Sequence, residues 1–364
     1  MNSWRINLTD DFNCPVNVIS CPSNKGCVIK LEQVFCDGYY ADSPDNRIGV
    51  FSHFHQDHIK AIEDCIGKYD KIIVHPITFA AIIALKPGLE YREQWLPQGY
   101  DTGYTSKAGT IRLLNANHIP GSAQVHVETE KYSLLYSGDF NFPDIQIKKA
   151  DYLVLDATHG SMEYDGKTDR QSVMNRLFED VKGQIDDNHP VVIVCPSGTL
   201  QELIKNFEIG HNEHISHDIH FVADKKQIKV LGKIYAQYKS DFREFIEFDE
   251  HEFWKLQRSN KKMVIFLTHE PIPSELINYY KIIVGKYRFT KDEPAIRPFS
   301  SGKGCRYNLE SHATIENIYS YVKEVNPKVV ITDNSRSDYA PRLAKLIEQH
   351  FEGKIKCYAR PIIK

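Results

Sequence analysis

Short apolar runs separated by turn residues dominate the first half of the chain. They predict strands near 28–36, 47–52, 71–75, 109–117, 122–128, 131–137 and 151–156. At Gln171-Ser172-Val173-Met174-Asn175-Arg176-Leu177-Phe178 the apolar spacing becomes helical and predicts a helix reaching about Ile185. Pro190-Val191-Val192-Ile193-Val194-Cys195 is then continuously apolar, as a parallel strand covered on both faces must be. Strand-like runs recur at Met263-Val264-Ile265-Phe266-Leu267 and Ile282-Ile283-Val284, with helical patterns between them. The chain closes with a helix from Ala313 to Val325, a strand at Lys328-Val329-Val330-Ile331 and a helix from Tyr339 to Phe351. The alternation predicts an α/β protein in three stretches: a first part over 1–189, an α/β insertion over 190–292 and a return over 293–364. No internal repeat and no low-complexity tract interrupts it.

Chemistry gathers where the early strands end. Ile48-Gly49-Val50-Phe51 empties into Ser52-His53-Phe54-His55-Gln56-Asp57-His58, an H-x-H-x-D-H run. His53 and His55 fall on one side, Asp57 and His58 on the other. Imidazole and carboxylate suit borderline divalent ions such as zinc, and two adjacent ligand sets imply two adjacent metals. Ile111-Arg112-Leu113-Leu114 leads to His118, and Tyr132-Ser133-Leu134-Leu135 leads to Asp139, a carboxylate placed to bridge two ions. Pro or Gly beside each predicts a turning backbone that exposes the side chain. Val34-Phe35-Cys36 ends in Asp37, placed to orient a ligating histidine from behind.

Asp37, the H-x-H-x-D-H run, His118 and Asp139 together resemble the first four motifs of the metallo-β-lactamase fold. Asn115-Ala116-Asn117-His118-Ile119-Pro120-Gly121 and Tyr136-Ser137-Gly138-Asp139-Phe140 are similar to the β-CASP nucleases, which act on DNA or RNA. Leu153-Val154-Leu155-Asp156-Ala157-Thr158 resembles that group's first extra motif. Ile296-Arg297-Pro298 with Leu309-Glu310-Ser311-His312-Ala313-Thr314 resembles its second, a histidine opening a helix. The A-N-H-x-P-G and I-R-P wording resembles the branch of DNA cross-link-repair exonucleases that includes Artemis. The similarity runs from about Asp37 to Asp333, densest in the first 160 residues and thin between 200 and 290.

The resemblance implies an αββα sandwich carrying an inserted α/β β-CASP domain. It implies that His53, His55 and His118 hold one zinc or manganese ion, that Asp57 and His58 hold a second, and that Asp139 bridges them. His312 would meet the scissile phosphate, with Asp156 orienting it. The activity implied first is a 5′ exonuclease on single-stranded DNA in repair. An RNA-processing endo- or exonuclease is the alternative, and a small-molecule ester or thioester hydrolase a further one. A binding subunit without turnover would lack a ligand, and none of the six principal ligands is missing. The pattern departs from the family after the late helix. There the RNA-cleaving branches carry another ligating histidine and the DNA branch a valine; here Asp333 either ligates the second ion or caps the Ser335 turn.

Composition modifies this picture little. At 41% hydrophobic and 26% charged, the 364 residues read as an ordinary soluble globular chain. The N-terminal residues lack a signal peptide's basic and apolar regions, no run is long enough for a membrane helix, and eight cysteines occur without a C-x-x-C pair. The expectation is an intracellular protein with reduced thiols, cytoplasmic in a prokaryote and open to the nucleus in a eukaryote. Cys14, Cys21, Cys27 and Cys36 fit no common zinc-finger spacing. A net charge of −3 gives no overall basic footprint for nucleic acid, but only local potential matters to a groove. Lys225, Lys229 and Lys233 fall four apart on one predicted helix face, either a phosphate-binding stripe or a solvated one. Ser197-Gly198-Thr199 forms either a phosphate cradle at a helix start or a plain turn. His211, His214, His217 and His220 recur every three residues, which fits neither one helix face nor a strand and reads as an exposed connection.

Overall fold

The computed structural model describes residues 14–21, 26–40, 47–160, 169–209, 219–238, 244–248, 251–269, 271–285, 294–309 and 311–361. They form two compact units, Met1–Asp165 with His312–Lys364, and Gly166–Ser311.

The first unit begins with β1 (Val16–Ser20), β2 (Cys27–Leu31), β3 (Val34–Cys36), β4 (Ile48–Phe51), α1 (Ile62–Cys65), β5 (Lys71–Val74), α2 (Pro76–Leu85) and β6 (Trp95–Pro97). Its six strands form one sheet in chain order, antiparallel from β1 to β3 and parallel from β3 to β6. The chain continues through β7 (Gly103–Ser106), β8 (Gly109–Asn115), β9 (Ala123–Glu128), β10 (Ser133–Tyr136) and β11 (Tyr152–Leu155).

Between those elements and the unit's last ones lies the second unit. It runs α3 (Arg170–Asp186), β12 (Val191–Val194), α4 (Thr199–Ile209), β13 (His220–Ala223), α5 (Lys225–Tyr238), β14 (Phe245–Glu247), α6 (His251–Arg258), β15 (Met263–Leu267), β16 (Tyr280–Val284), β17 (Ile296–Pro298) and β18 (Gly304–Tyr307). The chain then returns as α7 (Ile315–Val325), β19 (Val329–Asp333), α8 (Ala340–His350) and β20 (Lys356–Arg360).

In the first unit's second sheet the order is β20-β19-β11-β10-β9-β8-β7, parallel from β20 to β10 and antiparallel beyond. The two sheets close on a common core to which Ile29 and Val50 contribute from one side and Leu113, Val125, Tyr136 and Val154 from the other. Alternation along β8 sends one set of side chains into that core, while Leu114 faces the opposite layer with Leu153, Ile318 and Leu343 under α7 and α8. On the first sheet's far face Phe79 of α2 meets Trp95, which in turn meets Phe51. The result is the expected αββα sandwich.

The second unit holds a seven-stranded sheet in the order β14-β13-β15-β12-β16-β18-β17, parallel except for the β17–β18 pair. Central β12 is buried throughout, as its continuous apolar run predicts. This unit is wider than the predicted 190–292 insertion. Val173, Leu177 and Val181 of α3 pack into its core beside Ile193 and Phe221, and β17 and β18 complete its sheet. The architecture is mixed α/β and consistent with a metallo-β-lactamase/β-CASP fold.

Candidate metal centre

Several candidate residues of the first unit stand at or just past the carboxyl end of a strand. Asp37 follows β3, His53 follows β4, Asp139 follows β10, Asp156 follows β11, and Asp333 ends β19. In parallel sheets those ends splay and leave room for a site. Gly138 permits the turn after β10. Its φ is +56°, and a side chain there would stand 2.8 Å from the Ala123 carbonyl and 3.3 Å from Ser52 Cβ.

His53, His55, His118 and Asp139 converge, with one ligand atom from each lying within 4.8 Å of all the others. His53 Nε2 is 3.0 Å from His55 Nδ1, and His118 Nε2 is 3.2 Å from the same atom. Asp139 Oδ2 lies 3.6 Å from His53 Nε2 and 3.7 Å from His118 Nε2. These separations bracket the edge of about 3.3 Å of a tetrahedron whose bonds are about 2.0–2.1 Å, the length of a zinc–imidazole bond. Burial, with the charge at His58 beside it, holds His53 well below the usual imidazole range. It is therefore neutral, as a ligand must be. Burial pushes the Asp139 carboxyl up, but His58, His53 and His312 overcome it and hold the group well below the carboxylate range.

His58 occupies the middle of the arrangement. Its Nδ1 lies 2.9 Å from Asp37 Oδ2, and its Nε2 lies 3.3 Å from Asp139 Oδ1 and 3.5 Å from Asp57 Oδ2. That Nε2 is fully buried without a hydrogen-bond partner, and its lone pair, once the ring is neutral, could ligate an ion that Asp57 and Asp139 would also hold. Burial disfavours a charge on His58, yet Asp139 and Asp37 outweigh it and push the pKa up to about 10, so His58 could ligate only where an ion displaces its Nε2 proton. Asp57 is 62% exposed.

Asp37 is buried and takes the left-handed backbone, φ 60°. Its carboxylate accepts the Ser52 N–H at 2.7 Å, the Ser52 hydroxyl at 2.7 Å, His58 Nδ1 at 2.9 Å and the Tyr136 hydroxyl at 2.9 Å. Ser52 and Tyr136 appear in the sequence motifs, but nothing in their spacing marks them as its partners.

Asp156 and His312 meet, with Nδ1 2.8 Å from Oδ2. The other Asp156 oxygen accepts from the Thr158 N–H and hydroxyl at 2.8 and 2.7 Å. His312 does not open a helix; it sits two residues ahead of Thr314, the N-cap of α7. The Ala313 N–H bonds the Phe140 carbonyl at 2.8 Å and so ties this loop to the one bearing Asp139. Asp139, Asp156 and His312 also lie within 4.8 Å of one another. Both Asp156 oxygens are already engaged, which suits a residue that holds His312 better than a metal ligand.

At two places the hydrogen bonds favour the structural alternative. Asp333 caps the Ser335 turn, accepting its N–H and hydroxyl, and pairs with Arg336 at 2.8 Å. Both oxygens are thus engaged, and it belongs to neither metal-capable group among the described residues. At Ser197-Gly198-Thr199 the Gly198 N–H is taken by the Gln201 side chain at 2.5 Å, and Thr199 is buried, so the turn is closed by its own helix rather than open to phosphate. Lys225 and Lys229 are exposed on α5 as the spacing predicts, with Lys225 3.3 Å from Glu247. His211, His214 and His217 lie outside the described residues, and His220 begins β13. All eight cysteines are free, and among the described residues none joins a metal-capable group. No helix among the described residues is long and apolar enough to cross a membrane.

No protein-family model matches the chain. It is 28% identical over 178 residues to an RNase J-like protein of Methanocaldococcus jannaschii, covering 43% of this chain and 42% of that one. A probable DNA ligase of Opitutus terrae is 26% identical over 310 residues, 81% of this chain but 27% of the ligase. A probable RNase MJ4 of M. jannaschii is 22% identical over 309 residues, 70% of this chain and 68% of that one. The chain thus spans less than half the length of the first two. A crystal structure of a protein of unknown function from Enterococcus faecalis shares the fold, with a TM-score of 0.56 at 10% identity over 89% of this chain and 81% of that one.

Proposed function

We propose that this chain hydrolyses phosphodiester bonds in nucleic acid with one or two divalent ions, and that RNA is its favoured polymer. Convergence of His53, His55, His118 and Asp139 beside the Asp156–His312 pair carries that assignment. A site for small esters or thioesters requires the first group and not the second.

His53, His55, His118 and Asp139 would hold one ion, zinc or manganese. His58, Asp57 and Asp139 would hold the second, with Asp139 shared. A bound divalent ion supplies charge neutralisation at the phosphate and an acidified water. The chain's own groups do the rest. Asp37 accepts the His58 Nδ1–H and turns Nε2 toward Asp57 and Asp139. Asp156 fixes His312 through Nδ1, and the other ring nitrogen would meet the scissile phosphate. There it stabilises developing charge or passes a proton to the leaving oxygen.

Two of the relatives above carry RNase in their names, which supports RNA over the DNA 5′ exonuclease that the motif wording implies. The probable DNA ligase, which matches 81% of this chain, supports DNA as the second reading.

The test offers matched, end-labelled, 5′-phosphorylated single-stranded RNA and DNA to wild type and Asp139→Ala, with zinc or manganese. Cleavage of RNA by wild type alone is expected. Shortening of DNA with RNA untouched would move the activity to the repair branch. If neither polymer is cut by metal-loaded protein, the nuclease assignment falls.

A further inference from the structure

Gln124 is a wholly buried amide in the first unit. Ala123, Val125 and Val127 of β9 point into the core between the two sheets. Alternation turns Gln124 to the other face, where its cross-strand neighbour Leu114 packs in the layer under α7 and α8. A polar side chain is tolerated in such a layer only when hydrogen-bonded, and each group of this amide has a partner. The amide nitrogen donates to the Asn115 carbonyl at 2.7 Å and to the Gln146 carbonyl at 2.9 Å. The amide oxygen accepts the Tyr321 hydroxyl at 2.6 Å. Two carbonyls on the nitrogen side leave the amide a single workable orientation.

Those partners lie on three stretches of chain that carry the candidate centre. Asn115 ends β8 and opens the loop to His118. Gln146 lies on the connection that runs from Asp139 to β11. Tyr321 belongs to α7, the helix that follows His312. It is wholly buried as well, and its ring centroid lies 4.5 Å from that of Phe140, the residue after Asp139. The same stretches also bond one another through the backbone. The Asn141 N–H donates to the Ala116 carbonyl at 2.9 Å, and the Ala313 N–H donates to the Phe140 carbonyl at 2.8 Å. The Gln124–Tyr321 bond adds a buried tie from β9 to α7, and Gln124 passes it on to the other two stretches.

We infer that Gln124 and Tyr321 are positioning residues: their shared hydrogen bond sets the spacing of α7 from the sheet, and with it the placement of His312 relative to His118 and Asp139. The inference rests on the nuclease reading for its effect on cleavage and on the hydrogen bonds alone for the positioning.

Tyr321→Phe removes the hydroxyl and keeps the ring against Phe140. Gln124→Met keeps the length of the side chain and loses all three bonds. Ile347→Val, a change in α8 within the same buried layer, is the control for lost packing. Backbone amide exchange followed by NMR needs no activity. Relative to the amides of β4 and β5, exchange at Asn141 and Ala313 should speed about 3- to 10-fold in Tyr321→Phe, the scale of one hydrogen bond. Gln124→Met should speed it at least as much, and Ile347→Val should leave the ratio at its wild-type value. An unchanged ratio in Tyr321→Phe overturns the inference, as does an Ile347→Val variant that moves it equally. In the cleavage assay Tyr321→Phe should lower kcat about 10-fold with KM nearly unchanged, the scale of a reacting group displaced by a fraction of an ångström. A wild-type kcat would also overturn it. If exchange responds while wild type cuts neither polymer, the positioning holds and the nuclease assignment alone is lost.

Discussion

Replacing Asp37 with asparagine should both destabilise the protein and weaken its hold on metal. The carboxylate accepts four hydrogen bonds, three at Oδ2 and one at Oδ1. An amide has only one acceptor oxygen. In its better orientation that oxygen keeps the Ser52 hydroxyl, His58 and Tyr136, and the amide nitrogen then faces the Ser52 N–H, donor against donor. A buried donor left unmet costs about 1–3 kcal/mol, and the charge-assisted character of the His58 bond is lost as well. Their sum is about 3–5 kcal/mol, the range found when one partner of a buried ion pair is removed. Metal affinity should fall about 10- to 100-fold, because His58 loses the partner that fixes its ring. Asp57→Asn is the matched control. With a side chain 62% exposed, it should change stability by no more than about 0.5 kcal/mol. Urea unfolding followed by circular dichroism gives the first quantity, and competition against a chromophoric chelator the second. The reasoning is refuted if Asp37→Asn costs under about 1 kcal/mol and binds metal within about threefold of wild type.

Burial lowers the His75 pKa to about 4, so as pH falls the unfolded chain takes up this proton before the folded one does. Stability should therefore drop by about 3 kcal/mol as pH falls from about 6.5 to about 4. His75→Asn keeps an acceptor at the α2 N-cap and should flatten the thermal-midpoint profile across that window. Asp333→Asn should weaken the Arg336 pair and lower stability without changing metal bound per chain by elemental analysis; a lost ion would return Asp333 to the ligand set. Lys225→Ala with Lys229→Ala should leave stability within about 0.5 kcal/mol. The salt slope of RNA binding should also be unchanged, whereas a fall of about one per lysine would mark them as phosphate contacts.

The loops that carry the candidate metal ligands were the most legible part of this chain because physics ties them to the strongest local signal. A buried strand reads as an apolar run, and His53, Asp139 and Asp156 stand where such runs stop. Other features lacked that tie. Pro76–Leu85 is apolar on nearly every position, so α2 shows no helical period and the pattern predicts no helix there. Lys356–Arg360 is a half-exposed edge strand with a single apolar tyrosine among charged and small residues, and β20 left no trace in the pattern. Strand Pro190–Cys195 marked the insertion's start, yet membership is decided by packing, and the apolar face of α3 turns toward that sheet. Tertiary partners were least visible. Gln201 closing over Gly198, and Arg336 reaching back to Asp333, are choices among donors that a list of residue types leaves open.

Tyr136 belongs to the second sheet and Asp37 to the first, yet one hydrogen bond joins them beneath His58. The orientation of a candidate metal ligand is therefore conditional on two separately formed sheets having docked face to face. During refolding, strands β3 and β4 alone can bring Asp37 and Ser52 together, but the hydroxyl that completes the support arrives only with β10. Metal capture would then lag behind secondary structure and keep time with the closing of the sandwich. A metal-responsive dye added to a refolding chain would act as a stopwatch for sheet docking, a step that far-ultraviolet signals pass over.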